Sequence, residues 1–112
     1  MTEEVLRWPD RPTALIARDD QVALGAIQAL REAGVEVPRE MSVTGFDNLD
    51  LARRLHPTLT TIDQGSEALM ERAGEMLLAQ MAPAKSRAGV PLTETVAPEM
   101  VLGESTGPAR RS

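Results

Sequence analysis

Three polar side chains suited to binding hydroxyl groups follow three predicted strands, each at the point where its strand ends. Asp19 follows the apolar run 13–17, Asp47 lies at the end of the run 41–46, and Gln64 follows the run 59–63. The carboxyl ends of parallel strands share one edge of a sheet, where α/β proteins bind ligands. Carboxylates accept paired hydrogen bonds from hydroxyl groups, and an amide both donates and accepts them. The sequence therefore predicts a site for a hydroxyl-rich, sugar-like ligand.

Each of these residues also has a purely structural interpretation. Asp19 or its neighbour Asp20 can cap the helix predicted to start there, because an N-cap carboxylate accepts backbone N–H bonds. Asp47 can close an Asx turn, and Gln64 can be a solvated loop residue. The residue types leave both interpretations open.

The predicted elements that position the three residues alternate between strand and helix. Short continuous apolar runs indicate buried strands, and apolar residues spaced by three and four indicate helices. A strand, a helix and a strand within about 35 residues form a right-handed βαβ unit with parallel strands. We expect an α/β fold, a parallel sheet with flanking helices, whose elements are strand 13–17, helix 20–33, strand 41–46, helix 49–55, strand 59–63, helix 67–82 and weaker strands in 93–96 and 99–103.

The chain divides into a lead-in, one domain and a tail. Residues 1–12 form a helix stub ended by two prolines, and Trp8 in it is predicted to be a packing residue. The domain covers residues 13–104, and the polar residues 105–112 are predicted to be disordered. Four finer predictions concern helix ends and faces: Gly34 in the left-handed conformation after helix 20–33, Ser66 as the cap of helix 67–82, and Leu51 and Leu55 pointing inward.

Composition excludes several classes of function. The net charge is −5, and the aromatic residues are one Trp and one Phe, so neither phosphate binding nor base stacking is expected. The absence of cysteine excludes disulfides and thiolate metal sites. Apolar runs fall short of the roughly 18 residues of a membrane helix, and the N-terminus is acidic where a signal peptide is basic. A cytoplasmic protein without a membrane partner is expected.

Catalysis, metals and cofactors have little support in the sequence. The single histidine, His56, has no serine or acid at a diagnostic spacing, and Gly45, Gly65 and Gly89 are isolated and form no phosphate-binding loop. No acidic spacing suggests a metal site, and no cofactor is expected. The enzyme alternative is a small α/β protein that uses Asp19 and Asp47 as acid and base.

An ordered set of segments resembles the effector-binding domain of lactose- and galactose-repressor (LacI/GalR) type transcription regulators. The match covers residues 12 to about 106 and is specific as a set, consisting of 12–14 (PTA), 20–26 (DQVALGA), 34–38 (GVEVP), 42–48 (SVTGFDN), 57–64 (PTLTTIDQ) and 104–106 (EST). The resemblance implies a periplasmic-binding-protein-like (type 1) fold, in which two α/β subdomains hold an effector in their cleft. DNA contact is then made by a helix-turn-helix domain absent from these residues.

The resemblance also implies roles for single residues. Asp47 would accept hydrogen bonds from effector hydroxyls, and Gln64 would face the cleft at the crossover between subdomains. Asp19 departs from the asparagine typical of such repressors. The resemblance further implies a homodimer surface formed by Leu24, Gln28, Leu51 and Leu55.

The 112 residues resemble the C-terminal third of such a regulator, so the domain is expected to be incomplete. Helix 67–82 would pack on the N-terminal subdomain in the family. We therefore expect an isolated chain of this length to refold that helix onto its own sheet, to pair with another chain or to aggregate. The expected function is effector binding and dimerisation without catalysis. A fragment of a stand-alone periplasmic-type sugar-binding protein is the alternative.

Overall fold

The described residues form two short two-stranded sheets, which one parallel bridge connects. The computed structural model describes residues 2–89, 91 and 93–109. Strands β1 (Ala14–Ile16) and β2 (Ser42–Thr44) pair in parallel, and β3 (Thr61–Asp63) joins β2 through a parallel bridge between Thr44 and Thr60. Strand β4 (Glu99–Val101) pairs antiparallel with β3. The predicted α/β fold with a parallel sheet is confirmed.

Helix α2 (Asp20–Glu32) connects β1 to β2, and both of its ends follow from local sequence. Asp19 is the N-cap residue, and its carboxylate accepts the Val22 N–H at 2.8 Å. At the other end Gly34 has φ +74°, as predicted, and its N–H donates to the Arg31 carbonyl while that of Val35 donates to the Leu30 carbonyl. This pair of bonds is a Schellman motif, which glycine favours because it has no Cβ.

The hydrophobic core lies between α2 and the sheet. Leu30, Met41 and Val43 are fully buried, and each contributes roughly 1.5–3 kcal/mol through the apolar surface that it removes from water. The core cluster consists of Ala23, Ile27, Leu30, Val35, Met41, Val43, Ala52 and Leu59. This cluster fixes the carboxyl edge of the sheet relative to α2.

The short helix α3 (Asp50–Arg54) turns a different face inward from the one predicted. Ala52 is its buried residue, whereas Leu51 and Leu55 are 52% and 42% exposed, so the prediction that these leucines point inward is wrong. The Leu59 N–H donates to the Ala52 carbonyl at 3.0 Å. Because the backbones at Leu59 and Ala52 approach closely, a small residue is favoured at position 52, and the two leucines point outward.

Helix α4 (Ser66–Met81) extends away from the core. Among its described residues none is buried. The molecule measures 64 × 27 × 23 Å, and its radius of gyration of 19.6 Å exceeds the roughly 13 Å of a compact chain of this length. Ser66 does not cap α4: the N-cap residue is Gly65, whose N–H donates to the Asp63 carboxylate at 2.7 Å. The prediction that Ser66 caps α4 is therefore wrong, and the Asp63 carboxylate fixes the N-cap residue Gly65 instead.

Both ends of the chain differ from the predictions. Helix α1 (Thr2–Val5) forms the predicted stub, but Trp8 is 53% exposed and is not a packing residue. Ser105 is fully buried, its hydroxyl donates to the Val43 carbonyl and it accepts the Thr60 N–H. The predicted disorder of 105–112 is therefore wrong at Ser105, because Ser105 fills the gap where β2 and β3 diverge. Residues 110–112 lie outside the described residues.

The described residues between α4 and β4 form a 3-10 helix and a turn at 88–89 and are otherwise irregular. A 3-10 helix spans Ala84–Ser86, and the described residues of 93–98 form no strand, contrary to the prediction for 93–96. Instead Glu94 pairs with Arg72 of α4, whose Nε lies 2.6 Å from its carboxylate. The side chain contact fixes this segment along α4 without a backbone ladder.

Candidate functional site

The three predicted site residues lie at one edge of the sheet, and two of them are in contact. Because β1, β2 and β3 are parallel, Asp19, Asp47 and Gln64 all follow carboxyl ends. The Gln64 side chain amide donates to Asp47 Oδ1 at 2.8 Å, and the pair is partly buried. The Asp47 N–H also donates to the Ile62 carbonyl at 2.9 Å. Asp47 and Gln64 therefore form one polar unit between β2 and β3.

Asp47 and Asn48 adopt a backbone conformation that side chains rarely allow. Their φ angles are +106° and +53°. Such conformations cost about 1–3 kcal/mol each and persist only where surrounding contacts impose them, which happens most often at ligand sites. An Asx turn at Asp47 would use the Leu49 N–H, but that N–H donates to Asp20 Oδ2 at 2.7 Å. The Asp47 carboxylate is therefore not closing its own turn.

Asp19 caps α2, which confirms the structural interpretation of this residue. One carboxylate oxygen accepts the Val22 N–H and the other accepts Nε of Arg18 at 2.9 Å. The backbone bond to Val22 and then the Arg18 guanidinium hold the pKa of Asp19 below its ordinary value of 3.8. In the described part of the chain these contacts do not reach Asp47 or Gln64. A ligand role for Asp19 stays a prediction.

Asp20 is a site-shaping residue that the sequence did not reveal. Its side chain is fully buried, and its two carboxylate oxygens accept the Leu49 N–H and the Thr61 hydroxyl. Gly45 lies against it: a Cβ at that position would collide with Asp20 Oδ1 and lie 2.8 Å from the Leu59 side chain. The glycine after β2 was visible in the sequence as a strand end. Its pairing with a buried carboxylate 25 residues earlier is a tertiary contact.

Asn48 connects the end of β3 to α3. Its amide nitrogen donates to Asp63 Oδ2 at 2.7 Å, and its amide oxygen accepts Nε of Arg53 at 3.1 Å. The Gly65 N–H and then the Asn48 amide keep the pKa of Asp63 below its ordinary value of 3.8. The sequence analysis did not identify Asn48 or Asp63 as site residues. The network orients the loop 46–49 around Asp47.

A second feature is a groove between α2 and α3. Its volume is about 500 Å³, and the four residues of the predicted homodimer surface, Leu24, Gln28, Leu51 and Leu55, all line it. The exposed His56 also lines the groove, with Nδ1 3.3 Å from a Glu104 carboxylate oxygen. The fold thus assembles those four residues, which are up to 31 positions apart, into one partly apolar surface.

The described residues contain no group of three or more His, Cys, Asp or Glu side chains that could hold a metal ion. Within the same residues no helix combines the length and apolar character that crossing a membrane requires.

Comparison with known proteins identifies the family. A profile of the periplasmic binding protein-like domain matches residues 1–106. The chain belongs to the periplasmic binding protein-like domain family. Within this family the chain corresponds to part of the effector-binding domain of LacI-family regulators, which confirms the resemblance seen in the sequence.

This periplasmic binding protein-like segment is similar in sequence or fold to three known regulators. It is 41% identical to the HTH-type transcriptional repressor PurR of Yersinia enterocolitica over 96% of this chain and 31% of that protein. Its fold matches the lac repressor dimer bound to operator and the anti-inducer ONPF, with a TM-score of 0.81, 30% identity and coverage of 94% and 35%. It also matches a LacI-family regulator from Enterococcus faecalis V583 with bound ribose, with a TM-score of 0.85, 28% identity and coverage of 97% and 39%. The periplasmic binding protein-like segment thus spans less than a third of the curated relatives' length.

Proposed function

We propose that this segment binds a hydroxyl-rich effector, such as a sugar, through the carboxylate of Asp47. The observation that carries the proposal is the position of Asp47, held at φ +106° on the carboxyl edge of the parallel sheet. Among the described contacts, Asp47 Oδ1 accepts the Gln64 amide and Oδ2 is left to accept a hydroxyl. A carboxylate bound in this way favours polyols, because vicinal hydroxyls present paired donors. The ribose held by the Enterococcus faecalis relative supports a sugar-like effector.

Gln64 has a secondary role in this proposal. Its amide nitrogen is occupied by Asp47, so its carbonyl oxygen remains as an acceptor for an effector hydroxyl. Asp19 is the weaker candidate because both of its carboxylate oxygens already accept hydrogen bonds within the chain. In this proposal Asp47 makes the main contact with the effector. Gln64 and Asp19, which follow the neighbouring strands, make the secondary contacts.

Replacement of Asp47 tests this site in the full-length protein. Isothermal titration calorimetry with D-ribose, D-glucose and D-galactose would identify the sugar that the wild-type protein binds. Asp47→Ala should weaken its binding by about 1.5–3 kcal/mol, the scale of a hydrogen bond to a charged group, which is tenfold or more in affinity. The control is Asp50→Ala, because Asp50 is an exposed carboxylate three residues away. Unchanged affinity in Asp47→Ala would remove this residue from the site.

The exposed apolar face of α4 has a place in the same proposal. Met70, Leu77, Leu78 and Met81 are 62% to 74% exposed. We infer that this face packs on the second, N-terminal subdomain of a complete effector-binding domain. Effector held between the two subdomains would then favour one relative position of the subdomains, to which a separate DNA-binding domain responds.

With a net charge of −5, this segment itself does not contact DNA. Regulation of this kind places the protein in the cytoplasm.

The groove between α2 and α3 is the proposed homodimer surface. Leu51 in α3 and Leu55 just after it flank the groove on one side and the partly buried Leu24 of α2 flanks it on the other, so a second copy would cover the exposed Leu51 and Leu55 side chains. The lac repressor relative is a dimer. In a twofold-symmetric homodimer, the same surface patch of each copy forms the interface, so this groove would pack against the same groove of the second copy.

Charge introduced into the groove tests the dimer. Leu51→Glu should raise the dimer dissociation constant at least tenfold in sedimentation velocity, because an interface charge loses its water without gaining a partner. Val22→Glu is the control, since that side chain is 38% exposed on α2 but does not line the groove. A dimer that resists Leu51→Glu would contradict this surface.

A further inference from the structure

We propose that Asp20 is a positioning residue that sets the conformation of loop 46–49 and thereby directs the Asp47 carboxylate at the effector. The proposal rests on the function proposed for Asp47. Asp20 itself is fully buried, so its side chain offers no surface to an effector. It acts through the backbone of the loop that carries Asp47.

Asp20 holds both ends of this loop. Its backbone N–H donates to the Phe46 carbonyl at 2.9 Å, and its carboxylate accepts the Leu49 N–H at 2.7 Å. Asp47 and Asn48 lie between these two points, with φ of +106° and +53°. A conformation of this kind persists only where neighbouring contacts impose it. The two bonds from Asp20 are such contacts, one before and one after the strained pair.

The Asp20 side chain is itself fixed on the opposite side. Oδ1 accepts the Thr61 hydroxyl from β3, and Thr61 Oγ1 in turn accepts the Asn48 N–H, with 3.4 Å between nitrogen and oxygen. The Cα of Asp20 would lie 3.1 Å from a Cβ at Gly45, so α2 and the end of β2 meet without an intervening side chain. Asp20 therefore transmits the rigid geometry of α2 and β3 to the loop.

A carboxylate suits this position because both groups that it meets are donors. The Leu49 N–H is an obligatory donor, and the Thr61 hydroxyl donates to the second oxygen. Alanine removes both acceptors and leaves the Leu49 N–H without a partner. Asparagine keeps one acceptor for Leu49 and can donate its amide to Thr61 Oγ1. Asp20→Asn is therefore the conservative variant that should restore the loop.

Hydrogen exchange followed by mass spectrometry tests the positioning role in the full-length protein without any ligand. Asp20→Ala should raise the exchange rate of a peptide covering 46–52 at least tenfold and leave a peptide covering 23–33 of α2 unchanged. Asp20→Asn should return the 46–52 peptide to within about threefold of wild type. Asp50→Ala, an exposed carboxylate on α3, is the control and should change neither peptide.

Thr61→Val keeps the test decisive if Asp20→Ala fails to fold. It removes the hydroxyl that donates to Asp20 and accepts the Asn48 N–H, with little change in shape, and should raise exchange of the 46–52 peptide by a smaller factor than Asp20→Ala. An unchanged 46–52 peptide in Thr61→Val and Asp20→Ala would overturn the proposal. An equal rise in the 23–33 peptide would also overturn it, because that result shows general destabilisation.

Titration with D-ribose separates this inference from the proposed effector site. Where D-ribose binds the wild-type protein, Asp20→Ala should lower its affinity at least tenfold, and Asp20→Asn should bind as wild type. Failure of D-ribose to bind any form, together with the predicted exchange changes, would count against the sugar and leave the positioning role supported. Wild-type affinity in Asp20→Ala would overturn the link to Asp47.

Discussion

The two halves of this molecule contrast in how they bury apolar surface. The body, residues 13–63, holds Leu30, Met41 and Val43 fully buried between α2 and the sheet. The arm, residues 66–101, carries α4, among whose described residues none is buried, and Leu78 in it is 70% exposed. Both halves have the same kind of helical periodicity. Helical periodicity therefore identifies the apolar face of a helix, but it does not identify the part of the protein that packs against that face.

The largest expected effect compares one leucine from each half. Leu30→Ala removes a fully buried side chain and should lower the free energy of unfolding by about 2–5 kcal/mol. In the 112-residue segment without the inferred second subdomain, Leu78→Ala on the exposed face of α4 should change it by less than about 0.5 kcal/mol. Urea unfolding followed by circular dichroism measures both values.

The Leu78 result also reports on what covers the arm. A loss of about 2 kcal/mol or more for Leu78→Ala in this segment would show that α4 is buried against its own sheet or against another chain, and the same loss in the full-length protein alone would support burial on the second subdomain. Sedimentation velocity on the segment would separate burial against its own sheet from pairing with another chain. Burial of α4 in the segment by either route would remove the contrast between body and arm.

Two glycines give a second, smaller comparison. Gly45→Ala places a Cβ against Asp20 and Leu59 in the body and should destabilise the protein by about 1–3 kcal/mol. Gly74→Ala lies within α4 with nothing within 4 Å of the added Cβ. It should leave stability unchanged or raise it by about 0.5–1 kcal/mol, because alanine favours helix. Thermal melting of the pair measures the difference, and a destabilised Gly74→Ala would show that α4 is packed closely.

Local patterns were sufficient to predict the framework of the body. The apolar runs placed β1, β2 and β3, and Gly34 marked the end of α2, because strand burial and helix capping depend on neighbouring residues. The order of these elements then placed Asp19, Asp47 and Gln64 at one edge. The contact between Asp47 and Gln64 follows from that order.

What the sequence missed depends on contacts between distant segments. Asp20 is buried because Leu49 and Thr61, 29 and 41 residues away, both donate to it. Ser105 is fixed because its hydroxyl donates to the Val43 carbonyl and accepts the Thr60 N–H. A polar residue next to a cap or in a hydrophilic tail carries no local sign of such partners. Apolar character predicts Leu51 inward, whereas the backbone contact between Leu59 and Ala52 turns that leucine outward.

The smallest expected effect is a difference in acid sensitivity between two carboxylates. The Gly65 N–H and the Asn48 amide lower the pKa of Asp63 at the edge of the body, and Arg72 lowers the pKa of Glu94 in the arm. A carboxylate with a lowered pKa in the folded state stabilises that state above its unfolded pKa, and the contribution is lost as pH falls through the folded pKa. The window for Asp63 therefore runs from about pH 5 down through its ordinary value of 3.8.

Melting temperatures measured from pH 6 to pH 2.5 should separate the two carboxylates. Asp63→Asn should flatten the decline in melting temperature within this window, because the bonds to Gly65 and Asn48 no longer depend on ionisation. Glu94→Gln should leave the decline unchanged, since the Arg72 pair lies on an arm whose helix buries nothing against the body. Equal flattening in both variants would mean that arm and body unfold together, and that the exposed face of α4 is covered in solution.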